Sequence, residues 1–220
     1  MYDSTIDTKE HIAEVVRQCV EFTSNLRKIS SKFNNAILSE INKFIIKLNC
    51  QVSKHDASKL VSPEKDGFDK YTPMLAKMAY GSDAYNKCKN ELQHPYLDHH
   101  YASNRHHPEH FKNGILGMNL FDFVEMLCDW KAAVKRNLNG DIHESLKINR
   151  KRFEYDNRVY ITLLNTVDNN FEDFNLYRVI CIYAEMRVAD NALSKPNLEQ
   201  KLGSSQLATI VINTLESKDE

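Results

Sequence analysis

The chain is predicted to be all-α, and three observations predict it. Its 220 residues include only 6 Gly and 5 Pro, too little turn chemistry for a many-stranded sandwich or barrel. Apolar residues recur at three- and four-residue spacing in one segment after another, which is the period of a helix face rather than of a strand. They also make up 42% of the chain, enough to bury a real core.

The first helix is expected from residue 7, because Asp7-Thr8-Lys9-Glu10 carries the residue types of a capping box. Its apolar stripe of Val15, Cys19, Phe22, Leu26 and Ile29 takes His11 with it at the N-terminal end of the buried face. A second helix is expected over 35–55, with Ile41, Phe44, Ile45, Leu48 and Val52 inward, and its continuation reaches His55 and Asp56. Residues 60–66 read as a loop and 67–80 as a helix limited by Pro73. A break at 81–82 precedes a helical stretch over 82–103 that Pro95 interrupts, and 104–117 is a loop by its Pro, Asn and Gly content. Asn119 caps the strongest core helix, 120–136. Helices over 142–168, 175–193 and 198–215 complete the chain, with breaks at 139–140, 171–175 and 194–197. Residues 1–168 are expected to form one helical domain, and 169–220 a C-terminal helical extension packed on the same core.

Charge narrows the function classes. Lys+Arg 29 against Asp+Glu 30 gives a net charge of −1, so no bulk field draws nucleic acid or an anionic membrane. No apolar run approaches the roughly 18–20 residues of a membrane span, and the N-terminus lacks the basic-then-apolar order of a signal peptide. The five cysteines contain no C-x-x-C pair and mostly lie in apolar helical patterns, which argues for reduced thiols in a cytoplasm. Homo-oligomerisation is left open.

The chemistry concentrates in the histidines. Of nine, six (His94, His99, His100, His106, His107 and His110) fall within residues 94–110, where an even spread would place about 0.7. The core helix beginning LFDFVEMLCDW is apolar all round except for Asp122, Glu125 and Asp129, which share one face at i, i+3 and i+7. A stack of buried like charges needs cations or donors, and the His-rich loop and a bound metal are the candidates. Asp122 is also placed to cap the helix, and an Arg or Lys could pair with Glu125 or Asp129. His11, His55-Asp56 and Asp129 on three buried stripes could converge on one ion, a mixed N/O set suited to Mn, Fe, Co, Ni, Zn or Mg.

In its order of His11, His55-Asp56 and a distal Asp129, all on helices, the chain resembles the HD-domain superfamily of metal-dependent phosphohydrolases. HDASK at 55–59 is similar to the HD-x-x-K form of the branch that cleaves cyclic dinucleotides, which also places a single His and then a His-His pair before the last Asp, here His100 and His106-His107. The absence of a Gly-Tyr-Pro motif after that pair points away from cyclic dinucleotides. The blocks HDASK, HHYASNRHHPEH and EMLCDW together resemble a family of uncharacterised phage and bacterial proteins over roughly residues 8–165. Val188-Ala189-Asp190 offers a rival for the last aspartate, and Asp129 is preferred because it belongs to the EMLCDW block.

The resemblance implies an HD-like helical bundle with additional C-terminal helices and two divalent metal ions. His11, His55, Asp56 and Asp129 would hold one ion, and His100 with His106 or His107 the second, Asp56 bridging. It implies hydrolysis of a phosphoester of a nucleotide or another small phosphorylated metabolite by metal-activated water, in a bacterial or phage-infected cytoplasm. Lys59, Asn104 and Arg105 would contact the substrate phosphate, and Glu125 or His110 would serve as general base or ligand orienter. An HD-fold di-iron oxygenase is the alternative within chemistry. A helical interaction protein with a structural metal is the alternative outside it.

Overall fold

The computed structural model describes residues 2–78, 82–136, 140–189 and 194–217, without the side chain of Tyr85. It is all-α, with no strand among the described residues.

Helix α1, Thr5–Ser30, starts two residues before the expected capping box. Its start is set by a distant contact instead: the Ser4 backbone N–H and hydroxyl both donate to Asp69, at 2.7 and 2.6 Å. Asp7, inside the first turn, accepts from the Tyr2 hydroxyl. Helix α2, Asn35–Val52, is capped by the Asn34 side chain, which accepts from the Ile37 N–H. It ends three residues short of the expected His55, and the chain leaves it through a turn in which Asp56 takes left-handed backbone angles, φ 53°.

A single 3-10 turn, Ala57–Leu60, leads to α3, Glu64–Leu75, which begins inside the expected loop. Helix α4 is Asp83–Leu92 and α5 is Asp98–Ser103, joined by the wide turn Gln93–Leu97 that contains Pro95. Residues 104–117 carry only two short turns, Pro108–His110 and Gly114–Gly117.

Helix α6, Leu120–Lys135, opens with a complete capping box between Asn119 and Asp122. The expected single helix over 142–168 is two, α7 (Ile142–Phe153) and α8 (Asn157–Val167). The break is made by Glu154 at φ 52° and by Asp156, whose side chain caps α8 by accepting from the Val159 N–H. Helix α9 is Leu176–Ala189, and its expected continuation over 190–193 lies outside the described residues. The expected 198–215 helix is likewise split, into α10 (Lys195–Leu202) and α11 (Ser205–Glu216). Gly203 at φ 67° ends the one and the Ser204 hydroxyl caps the other, the Gly-then-Ser order that marks a stop followed by a start.

The core forms around α6. Phe123, Val124, Met126 and Leu127 of this helix are all buried in one cluster with α1, α2, α9 and α11. Helix α1 runs along α6, α2 lies against α6 and α9, and α11 covers the N-terminal end of α6, where the Thr214 hydroxyl accepts from the Leu120 N–H at 2.8 Å. A smaller cluster of Tyr71, Cys88 and Leu92 joins α3 to α4. All five cysteines are free; four are buried and Cys50 is exposed. No described helix is long and apolar enough to cross a membrane.

Candidate metal centre

The end of α2, the first turns of α1, the His-rich segment and the middle of α6 meet at Asp56. Its two carboxylate oxygens face opposite ways. Oδ2 stands 3.8 Å from His11 Nε2 and 3.6 Å from His55 Nε2. Asp129 closes that side, with Oδ1 2.9 Å from His11 Nε2 and 3.8 Å from His55 Nε2. Oδ1 of Asp56 stands 3.5 Å from His100 Nε2 and 3.6 Å from His106 Nε2, and His107 Nε2 lies 2.8 Å from His100 Nε2. Two groups of donor atoms therefore share one carboxylate, His11, His55 and Asp56 on one side and Asp56, His100, His106 and His107 on the other.

These spacings fit metal ligation. Two N or O donors, each roughly 2.1 Å from one ion, stand roughly 3.0–3.5 Å apart, close to what is found here. The protein also leaves the right atoms without partners: His55 Nε2, His106 Nε2 and Asp56 Oδ1 are buried with no hydrogen bond. Such atoms are costly unless something else binds them. Charge points the same way. Asp56, Glu64, Asp122, Glu125 and Asp129 are buried or nearly so, and among the described residues only the lysine and arginine cations of Lys59 and Arg105 pair with any of them. With neutral imidazoles the centre has a surplus of negative charge that divalent cations would offset.

The rings are held from behind. Glu125 Oε1 accepts from His55 Nδ1 at 2.8 Å and lies 3.5 Å from His106 Nδ1, while its Oε2 accepts from Gln51 Nε2 at 2.7 Å. Glu64, fully buried, accepts from His100 Nδ1 through one oxygen and from His99 Nδ1 through the other, at 2.9 and 2.7 Å. A carboxylate on Nδ1 fixes the tautomer and aims the Nε2 lone pair at Asp56, the arrangement that supports imidazole ligands in metal sites. Asn104 donates to the Ser58 hydroxyl and the His100 carbonyl, both at 2.8 Å, and so ties α5 to the turn after Asp56.

The protonation states of His106, His107, Asp56 and Asp129 suit ligation, and that of His55 runs the other way. Burial and the charges of His55 and His107 push His106 far down, and burial with the His100 charge pushes His107 down to about 3. Both are neutral at ordinary pH, as ligands must be. Burial works against ionising Asp56 and Asp129. Lys59 and the surrounding imidazoles outweigh it at Asp56, and the His11 hydrogen bond and the His55 charge do so at Asp129, holding both carboxyls well below the usual range. Burial lowers His55, but Asp56, the Glu125 hydrogen bond and Asp129 outweigh it and leave the ring raised.

The other candidates divide. Lys59 donates to Asp56 Oδ2 at 2.5 Å, at the rim of the centre, where its side chain is 20% exposed and that of Asp129 is 14% exposed. Arg105 is elsewhere: its Nε and Nη2 donate to Asp122 at 3.1 and 2.9 Å, and it lines a cleft of about 710 Å3. That cleft touches the centre along His55, His106 and Glu125, while Asp56, His100, His107, Asp129 and Lys59 lie outside its wall. Lys59 and Arg105 therefore do not meet over one phosphate. His110 stands apart, its Nδ1 donating to the Tyr101 carbonyl at 3.0 Å and its ring against Phe111. Asp190 lies outside the described residues.

Sequence reasoning missed Glu64 and Gln51. Glu64 sits in a stretch that reads as a polar loop, and only its position at the start of α3, opposite two histidines, reveals its use.

Fold and site together define an all-α protein built around a buried histidine–carboxylate cluster with the donor set of a metal site. The chain belongs to the family described as "Family of unknown function (DUF5662)", whose model matches residues 1–174. Every residue of the centre lies within that span. Neither the curated proteins nor the solved structures gave a match.

Proposed function

We propose that the protein is a metal-dependent phosphohydrolase that cleaves a phosphoester of a nucleotide or another small phosphorylated metabolite, on an HD-like arrangement of helices. The observation that carries this reading is the carboxylate of Asp56, whose two oxygens face two separate sets of histidine nitrogens, with Oδ1 left unpartnered. His11, His55, Asp56 and Asp129 would hold one divalent ion, and Asp56, His100, His106 and His107 a second. Bound there, the ions would lower the pKa of a coordinated water and offset charge on phosphoryl oxygens.

The chain's own groups do the positioning. Glu125 and Glu64 hold the Nδ1 protons of His55 and His100, keeping both rings oriented. Both oxygens of Glu125 are engaged, by His55 and Gln51, so its part is orientation rather than removal of a proton. Lys59 brings an ammonium to the partly exposed rim, the place where a phosphate would arrive. A closed structural metal site would need no such rim.

The test is metal content followed by turnover. Protein purified without chelator or affinity nickel is expected to carry close to two ions per chain and, with Mn2+, to release phosphate from a panel of nucleotides and sugar phosphates. Two irons with O2 consumption and no phosphate release would establish the oxygenase instead. No bound metal in the native protein or after Mn2+ titration would overturn both.

A further inference from the structure

The cleft beside the centre has its own chemistry. Lys54 and Arg105 line it beside Lys47, and Glu125 is its one lining carboxylate among the described residues, in a chain whose net charge is −1. Lys54 is exposed and has no acidic partner among the described residues. Arg105 has five N–H donors and spends two positions, Nε and Nη2, on Asp122; Nη1 remains for a ligand. Its plane is steadied by the Phe111 ring, 5.0 Å away. At about 710 Å3 the cleft is far larger than an inorganic anion needs, and Ile46 and Phe121 add apolar side chains to its lining.

A chain of hydrogen bonds runs from this cleft to a metal-facing ring. Asp122 accepts from Arg105 and, at 3.1 Å, from Gln51 Nε2. The same Gln51 nitrogen donates to Glu125 at 2.7 Å, and Glu125 accepts from His55 Nδ1 at 2.8 Å. We propose that the cleft binds an organic phosphate monoester, separately from the metal centre, and that its occupancy is coupled to the centre through Arg105, Asp122, Gln51, Glu125 and His55. An anion that draws on the Arg105 guanidinium weakens its hold on Asp122, which is buried and must then lean on Gln51, the residue shared with Glu125. Binding in the cleft stands on the cleft alone. The coupling rests on the metal-centre reading above, and by linkage it acts equally in both directions.

The phosphonate analogue of adenosine 5′-monophosphate, whose P–C bond replaces the ester and resists hydrolysis, is the monophosphate titrated calorimetrically into chelator-stripped protein and into Mn2+-loaded protein to test both halves. The stripped protein is expected to bind it saturably, more tightly than inorganic phosphate and less tightly at high salt. Lys54→Glu should weaken that binding by about tenfold or more, since it replaces an attraction with a repulsion, while helicity and Mn2+ binding stay as they were. Mn2+ should change the affinity for the monophosphate severalfold, the monophosphate should change Mn2+ affinity by the same factor, and Gln51→Met should remove that mutual shift. No saturable binding to stripped protein, or unchanged affinity in Lys54→Glu, overturns the cleft site. Equal affinities with and without Mn2+ overturn the coupling. Failure of Mn2+ to bind at all overturns the metal reading and the coupling with it, and leaves the result on stripped protein to decide the cleft.

Discussion

Asp56→Asn is the most demanding perturbation, because it changes two atoms' chemistry and almost nothing of the side chain's shape. An amide offers one carbonyl oxygen and one NH2. The carbonyl could serve either His11 and His55, 3.8 and 3.6 Å from Oδ2, or His100 and His106, 3.5 and 3.6 Å from Oδ1. Whichever way it turns, the NH2 points at the lone pairs of the other set, and both sets lose an anion. For the wild type, an ion present at 100 times its Kd should stabilise the fold by about 2.7 kcal/mol. At about 2–4 °C per kcal/mol for a chain of this length, each ion should raise Tm by roughly 5–11 °C. Asp56→Asn should lose most of that rise for both ions and bind fewer than one Mn2+ per chain. Mass-spectrometric metal analysis of dialysed protein and a thermal melt with and without Mn2+ read the two quantities. A variant that keeps two ions and the full Tm rise would refute the shared-carboxylate arrangement.

Further predictions follow from single contacts. Asp129→Ala should abolish Mn2+ binding at the His11–His55 side with little loss of metal-free stability. Asp122→Ala should keep metal but cost about 2–3 kcal/mol in urea denaturation, because it removes the cap on the buried Asn119 N–H and half-exposed hydrogen bonds from Arg105; equal metal loss in both would show that the acidic face has been misread. Gly67→Ala would set a Cβ 2.3–2.7 Å from atoms of the Tyr96 side chain, so it should destabilise the packing of α3 against the 93–97 turn by about 1–3 kcal/mol, and an unchanged melt would count against that packing. His143 is raised above its ordinary value by hydrogen bonds to Asp168 and Asp141. Its stabilising contribution is therefore full below the unfolded pKa of about 6.5 and lost as pH rises through the folded value. An NMR titration midpoint at or below 6.5 would contradict it, as would an identical pH dependence of Tm in His143→Gln.

Much of the fold was legible because its cause is local. The apolar stripes of α1, α2 and α6 follow the helical period, and Asn119 with Asp122 reads as a cap and is one. Expectation failed where a tertiary contact decides. The 142–168 segment has a helical pattern throughout, yet Glu154 turns left-handed so that Tyr155 can bury its ring and donate to the Leu146 carbonyl. The start of α1 failed for the same reason: Ser4 is fixed by Asp69, a partner 65 residues away. The 198–215 error is different, since Gly203-Ser204 was a readable stop and start that the apolar pattern across it concealed.

The centre shows the same division between ligand atoms and the groups that aim them. Histidines and aspartates at unusual density are visible in the chain itself, and so His11, His55, Asp56, His100, His106, His107 and Asp129 could be singled out before any of them had coordinates. What aims them was visible only in part: Glu125 stood out on the acidic face of the core helix, and Glu64 and Gln51 did not. A glutamate that holds an imidazole looks, in sequence, like any glutamate in a helix or loop, and Glu64 acquires meaning only when α3 packs beside α5. The turn at Asp56 was hidden for a related reason. Continuing α2 as a helix would have set His55 and Asp56 a fixed 100° apart on one rod. Left-handed angles at Asp56 instead let its two oxygens face two histidine sets at once, and a non-glycine residue held there carries a strain that the surrounding contacts must outweigh. Asp tolerates that conformation better than most residues, so one side chain meets both demands of the position, the backbone's and that of two histidine sets facing one carboxylate.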